Sequence, residues 1–534
     1  MTSKNAYKYY EKLVFKSTDS PTILDLSTDL TTEIDDGNTY RANSVTFVNI
    51  SDGTIDVELS YDGTNYGDII RFKSRETKDI TSSGLYKIRI THTGIDAGYE
   101  CLASTNNIGE TIYRGGTTNA AIYARDTASV DAFGRWRVSN PDTLFDSKNI
   151  FNDSDLVDSL ENQPLFFDNQ EVSGSGTSTT YNSNESSATI SVGSAIAGKR
   201  VRQTKRRFNY QPGKSILAFL SFIMGEQTSG VTKAEGLFDD NNGLFFQDTG
   251  SSYGFVRRSY VTGSAIDTFY EKSEWNIDPM DGTGVSGVDL DFTKTNILAI
   301  DFEWLGVGRV RFGFVVDGNI YYAHALNNAN NLDKVYMSSP NLPIRTEIEN
   351  DGTGITSNMT QICNSVISEG GQNPTGLIRY ASTAGSQITC ATEGTIYAII
   401  GIRLKTNYIG ATIKILRTLM QLQTASDRVE YILKYNPTVT GTLTYSDESR
   451  SSVQIALGDG TQTITGGIDI DGGFLESGGN ASGRAGSTES EIDNVLTLGT
   501  NIDNTRDEII LCARPIGGSS NVDVEGAMSW RELN

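Results

Sequence analysis

Apolar side chains recur at every second residue through much of this chain, and that period restricts its fold more than any other feature. Val45 and Phe47, then Ile55, Val57, Leu59 and Tyr61, then Tyr86, Ile88 and Ile90 alternate with other residues, as in a strand with one face buried and the other wet. A helix needs apolar residues three and four apart, and no such stripe competes in the first hundred residues. Ser51-Asp52-Gly53 and Tyr61-Asp62-Gly63-Thr64 supply residues that tolerate the positive φ of hairpin turns. The pattern predicts an N-terminal β-sandwich over residues 1–105.

The same reasoning extends along the chain. Ile216–Ile223, Gly243–Phe246, Tyr253–Tyr260, Ile297–Phe302, Arg309–Val316, Ile320–His324 and Thr395–Leu404 read as strands, several almost continuously apolar, as strands packed between two sheets are. Fifty-four glycines against ten prolines fit short strands and many turns. The expected fold is all-β: the N-terminal sandwich, a connector at 106–161, a central jelly roll at 162–406, and at 407–534 a C-terminal β domain or a continuation of the central sandwich. Thr412–Leu433 alone has helical content in its pattern, although Val429, Tyr431, Leu433 and Tyr435 alternate. Ser173–Ser187 and Glu476–Thr488, rich in small polar residues, read as mobile loops. No repeat of fixed period points to a solenoid or fibre shaft.

A net charge of −22 opposes broad binding to phosphate backbones, so nucleic acid is not expected as the main partner. The start lacks an apolar leader, and no run approaches the ~18 apolar residues of a membrane span. Membrane insertion is therefore not expected. Cys101, Cys363, Cys390 and Cys512 lie far apart and read as reduced, buried thiols, with a Cys363–Cys390 disulfide as the alternative.

Candidate sites are sparse. His92 and His324 are the only histidines, which leaves little for a Ser-His or Cys-His pair, and His324 reads as structural on its strand. Pro212-Gly213-Lys214-Ser215 lacks the preceding glycine of a phosphate loop, since Phe208 stands there. The run Lys199, Arg200, Arg202, Lys205, Arg206, Arg207 and Lys214 contains no acidic residue; it suits a solvated face or docking to an acidic neighbouring subunit. Phe133, Arg135, Trp136 and Arg137 form an aromatic and arginine cluster, fit for internal packing or an intersubunit anchor. Asp278 and Asp281 offer oxygen ligands at a turn, as does Asp469-Ile470-Asp471, for turn chemistry or a structural calcium. Asp301 and Glu303, two apart on a strand, share the geometry of paired glycosidase carboxyls, with Arg309 and Arg311 beside them to pair with instead. No catalytic residue and no cofactor is assigned.

Four segments carry a resemblance: Phe133-Gly134-Arg135-Trp136-Arg137-Val138-Ser139; Arg202 to Ser215; Trp275 to Gly287; and Glu303 to Gly313. With the closing Ser529-Trp530-Arg531-Glu532-Leu533, they resemble a family of large virion structural proteins of tailed phages, marine ones especially. The resemblance runs from about Asp131 onward and implies a capsid, neck, tail or fibre component, made in the host cytoplasm and working through contacts with its own copies and other virion proteins. The central jelly roll also looks like the concanavalin or laminin-G sandwich, whose rims commonly bind glycans. The resulting expectation is a non-enzymatic virion protein, with a glycan-binding host-attachment protein as the alternative and a polysaccharide-cleaving enzyme behind it.

Overall fold

A computed structural model describes residues 10–17, 22–25, 42–49, 54–73, 77–85, 87–92, 97–104, 141–149, 166–373, 375–383, 385–423, 426–477, 484–486 and 497–533. The protein is all-β. Among the described residues the helical elements are two single turns, Lys272–Glu274 and Thr406–Tyr408. The chain divides into two compact units, Met1–Thr118 and Asn119–Asn534.

The first unit holds two four-stranded antiparallel sheets. One orders Tyr10–Ser17, Ala97–Ser104, Ala42–Asn49 and Thr77–Leu85; the other orders Thr22–Asp25, Lys87–His92, Ile55–Ser60 and Ile70–Phe72. Of the period-two residues, Ile55, Val57, Leu59, Ile88 and Ile90 are buried, whereas Tyr61, just past the end of its strand, is exposed. Arg71 and Arg89 reach across to Asp56 and Glu58 on the neighbouring strand. At the Asp62 turn, the carboxylate accepts the Thr64 and Asn65 N–H groups at 2.8 and 2.7 Å, and Gly63 adopts the positive φ that the turn needs.

The second unit begins with a jelly-roll sandwich. Its front sheet has seven strands in the order Phe167–Gly174, Gly198–Thr204, Ile344–Asn350, Val231–Phe238, Gly243–Asp248, Tyr253–Ser259 and Ile266–Glu271. Its back sheet orders Thr177–Asn182, Ser187–Val192, Ser357–Glu369, Ser215–Ile223, Asn296–Phe302, Val310–Val316 and Asn319–Leu326. Asp142–Lys148, from the connector, adds a strand beside Ser357–Glu369. Between the sheets lies an aromatic core in which Phe246, Phe255, Phe292, Phe312, Phe314 and Trp275 are all buried; Phe255 stacks on Phe312 with centroids 4.6 Å apart.

Two further sheets follow, and the change comes earlier in the chain than residue 407. Leu377–Ser382, Ile388–Cys390 and Thr412–Leu422 all pair with Val522–Leu533. Tyr397–Leu404, placed by its sequence in the central domain, pairs instead with Glu508–Pro515 and Val453–Leu457. Arg428–Tyr435 lies on the other side of Glu508–Pro515. The core here centres on fully buried Trp530, with Ile399, Ile402, Ile415 and Leu511.

Two local expectations change. Thr412–Leu433 is not helical: it forms strand Thr412–Leu422 and most of strand Arg428–Tyr435, because Ile413, Ile415, Met420 and Leu422 are apolar where the pleat turns inward. Ser173–Ser187 is not a loop throughout: strand Thr177–Asn182 pairs with Ser187–Val192, with positive-φ glycines at Gly174 and Gly176 closing the approach to it. The Glu476–Thr488 segment falls largely outside the described residues, as do the side chain of His92 and the whole Phe133–Arg137 cluster.

Candidate functional site

Strand Ile344–Asn350 occupies the middle of the front sheet and sorts its side chains by alternation. Ile344 and Ile348 enter the core, so Arg345, Glu347 and Glu349 stand on the opposite, outer face. The flanking register places Gln203, Val201 and Lys199 opposite these three on one side, and Gly236, Ala234 and Thr232 on the other. Small neighbours on that second side leave the long polar side chains free to extend along the face.

They extend into a connected row of charges. Lys199 Nζ lies 2.5 Å from Glu347 and 3.4 Å from Glu349, so one ammonium holds two carboxylates together. Arg345 donates to the other Glu347 oxygen from Nε and Nη2, at 3.0 and 2.8 Å, and to Asp240 at 2.7 Å. Further across, Arg258 grips Asp267 with two hydrogen bonds of 2.8 and 2.9 Å. Beneath the row, Phe238 and Phe245 stack at 4.2 Å, with Arg345 and Arg258 over their rings. Glu347 is buried while Glu349 and Asp240 are exposed, so the row runs from a dry floor to a wet rim. Alternating fixed donors and acceptors on a flat face suit a ligand rich in hydroxyls. Paired carboxyls on one face are also what glycoside cleavage requires, at a separation of about 5–5.5 Å for retention.

Sequence reasoning missed this row. The signal was Arg345-Thr346-Glu347-Ile348-Glu349, where charge alternates with period two, but the segment was not read as a strand.

Asp301 and Glu303, the pair singled out by sequence, are fully buried. Asp301 is ion-paired with buried Arg311 and accepts the Tyr322 hydroxyl at 2.8 Å, while the Arg311 guanidinium lies 4.1 Å over the Tyr322 ring. His324 accepts the Asn276 N–H on Nδ1 at 3.3 Å and packs against Tyr270; burial pushes its pKa down to about 4. Asp278 uses both oxygens on backbone, accepting the Met280 and Ser286 N–H groups at 2.9 and 2.8 Å. Asp281 accepts the N–H and hydroxyl of Thr283. Asp469 is paired with Lys434. Lys214 donates to Gln211 and to the Gly371 carbonyl beside a cleft of about 220 Å³ that Asn209, Tyr210, Asn373 and Thr375 also line.

Much of the basic run makes contacts within the chain. Arg200 donates to Thr179; Arg202 is fully buried, bonded to Gln361 and Asn149 and lying 4.0 Å over Phe167. The turn that follows joins the jelly roll to the C-terminal sheets. Lys205 lies 3.6 Å from Asp507 and 5.8 Å from the Tyr435 ring, its carbonyl accepts the Thr500 N–H, and Arg207 bridges Asp239 and Thr500. Burial pushes the Arg206 guanidinium down to about 10, and it sits 5.9 Å from the Phe208 ring. Acidic partners for Lys199, Lys205 and Arg207 lie within the same chain, at Glu347 and Glu349, at Asp507 and at Asp239.

No family model matches the sequence, and no curated protein does. Solved structures with a similar fold include a Bacteroides ovatus mixed-linkage glucan GH16 protein in complex with its G4G4G3G product, 10% identical with a TM-score of 0.29, covering 42% of this chain and 99% of that one. A β-1,3-glucanase from Mycobacterium marinum is 12% identical, TM-score 0.27, covering 43% and 100%. Arcelin-5, a lectin-like defense protein from Phaseolus vulgaris, is 10% identical, TM-score 0.26, covering 43% and 99%. Likeness at this level concerns architecture alone. The expectation of a chain that is not an enzyme is nevertheless corrected. Glycoside cleavage, for which several of these neighbours are named, runs on carboxyl groups, so a count of two histidines does not exclude an enzyme.

Proposed function

We propose that this chain is a structural protein of a tailed-phage particle that works through contacts of its surfaces. The observation that supports this best is strand Leu377–Ser382. It lies at the edge of its sheet, pairing among the described residues only with Val522–Leu533, and Leu377, Ile378 and Tyr380 are 62%, 63% and 61% exposed. An apolar edge with no second partner among the described residues can serve as a template for adding another strand, which soluble proteins ordinarily blunt with charge, proline or a cover. The resemblance of the Arg202–Ser215 and Trp275–Gly287 segments to virion structural proteins points the same way. Mass spectrometry of purified particles, with the chain then located in the particle density, tests the reading. The chain should be a stoichiometric component, and its absence from particles would overturn the proposal.

A second reading, recognition of a host-surface glycan, is favoured by the Lys199, Arg345, Glu347 and Glu349 row. Glu347→Gln and Lys199→Met should each abolish retention on the recognised polysaccharide while leaving the β circular-dichroism spectrum intact. Incubation of wild type with that polysaccharide, followed by chromatography of the products, separates binding from cleavage.

A further inference from the structure

We infer that the Leu377–Ser382 edge pairs with the same edge of a second copy, antiparallel and centred on Tyr380, so that two sheets become one. This rests on the reading of the chain as an assembling protein and names the partner. Three observations carry it.

The first is the pleat. Ile378 and Tyr380 stand opposite Arg531 and Ser529 of the neighbouring strand, on the face away from buried Trp530 and Glu532. Leu377, Arg379 and Ala381 therefore share the other face, and Ala381 packs against the core there. A two-fold axis perpendicular to a sheet preserves its faces, so each residue must meet one of equal parity.

The second is side-chain pairing, in which charge excludes one centre and an aromatic cluster favours another. Centring on Arg379 would set two guanidinium groups directly opposite one another, which is unfavourable. Centring on Tyr380 sets Tyr380 against its own copy, Ile378 against Ser382, and Arg379 against Ala381. Each Ile378 then lies diagonal to the opposing Tyr380, an aromatic and β-branched cluster of the kind that stabilises antiparallel pairs. Arg379 is already engaged inward, with the Arg450 carbonyl and Glu532.

The third is where the acids are not. The chain carries a net −22, so copies repel at long range, yet no acidic residue occurs between Glu369 and Glu393. This edge is an acid-free seam, where two copies can meet without opposing carboxylates. Glu532, across from Leu377, is buried and bonded to Ser451 and Trp530.

The test uses the full chain. Wild type should sediment as a dimer or larger species at micromolar concentration, and Tyr380→Lys should lower its association at least tenfold. In a Cys363→Ser background, which removes the thiol exposed among the described residues, Tyr380→Cys should form an intermolecular disulfide on mild oxidation, because directly opposed strand residues have Cα atoms about 4.5–5.5 Å apart, within disulfide reach. Leu377→Cys in the same background should not, since its own copy would lie six residues along the strand. A wild-type chain that stays monomeric, or equal crosslinking from both positions, overturns the pairing. Should the pairing fail while the chain is still found in particles, only this inference is lost; absence from particles removes the broader reading.

Discussion

Replacing Glu235 with glutamine should remove one defined contribution to the pH dependence of stability. Glu235 lies on the core side of strand Val231–Phe238, opposite Thr346, and is fully buried. Burial pushes its carboxyl up to about 8 from an ordinary 4.5, against the opposing pull of Thr346, Arg202 and Gln361. Below pH 4.5 the group is protonated in folded and unfolded chains alike, and no cost arises. Between 4.5 and about 8 the unfolded chain releases a proton that the folded chain keeps, so stability falls as pH rises, by about 1.4 kcal/mol per unit. Above that window the cost is constant. Between pH 5 and pH 7.5 the wild type should therefore lose about 3 kcal/mol relative to Glu235→Gln. Urea unfolding followed by tryptophan fluorescence at a series of pH values measures both chains, and the difference between them cancels every other titrating group. Parallel stability curves would refute the reasoning, and so would a wild type that gains stability on the variant as pH rises.

Other outcomes follow from the same structure. Asp507→Ala, which removes the partner of Lys205 and the acceptor for Asn436 and the Gly499 N–H, should cost about 3 kcal/mol and make the junction between jelly roll and C-terminal sheets cleavable in limited proteolysis. Trp530→Ala, emptying the largest fully buried side chain among the described residues, should cost about 3–5 kcal/mol in the urea transition of the C-terminal sheets. Cys363 is exposed, whereas Cys390 is buried with its thiol pushed up to about 12. Native thiol titration should therefore label Cys363 well before Cys390, and mass spectrometry of the labelled peptides would show the order.

Much of the fold was legible because burial on one or both faces imposes a pattern that a strand cannot hide. Ile216–Ile223, Tyr253–Tyr260 and Ile297–Phe302 were placed within a residue or two of the observed strands. Thr412–Leu422 was misread because a bulge between Ile415 and Arg417 breaks the period-two count in its middle. Assigning Tyr397–Leu404 to a sheet was beyond periodicity altogether, since its partners lie about fifty and over a hundred residues away. The basic run was visible as charge, but whether its partners belong to another subunit or to Asp507, Asp239 and Glu347 depends on long-range register. Asp301 and Glu303 had the spacing of a reactive pair, and only the buried Arg311 and Tyr322 identify Asp301 as part of an internal lattice. The outer row at Glu347 and Glu349 shows the reverse case: the same spacing, on a strand whose other face is the core.

The central place of Val522–Leu533 sets a timetable for synthesis. Leu377–Ser382, Ile388–Cys390 and Thr412–Leu422 all hydrogen-bond to this one strand, which leaves the ribosome after every one of them. At about 5–20 residues per second, the edge at Leu377 waits on the order of ten to thirty seconds for its partner. The jelly roll waits in the same way, since Asp142–Lys148 and Ser187–Val192 both pair with the much later Ser357–Glu369. During the wait three strands present open backbone and apolar side chains together. A nascent chain is thus exposed to holdase chaperones, and to neighbouring chains on the same message, in the interval before this twelve-residue strand arrives.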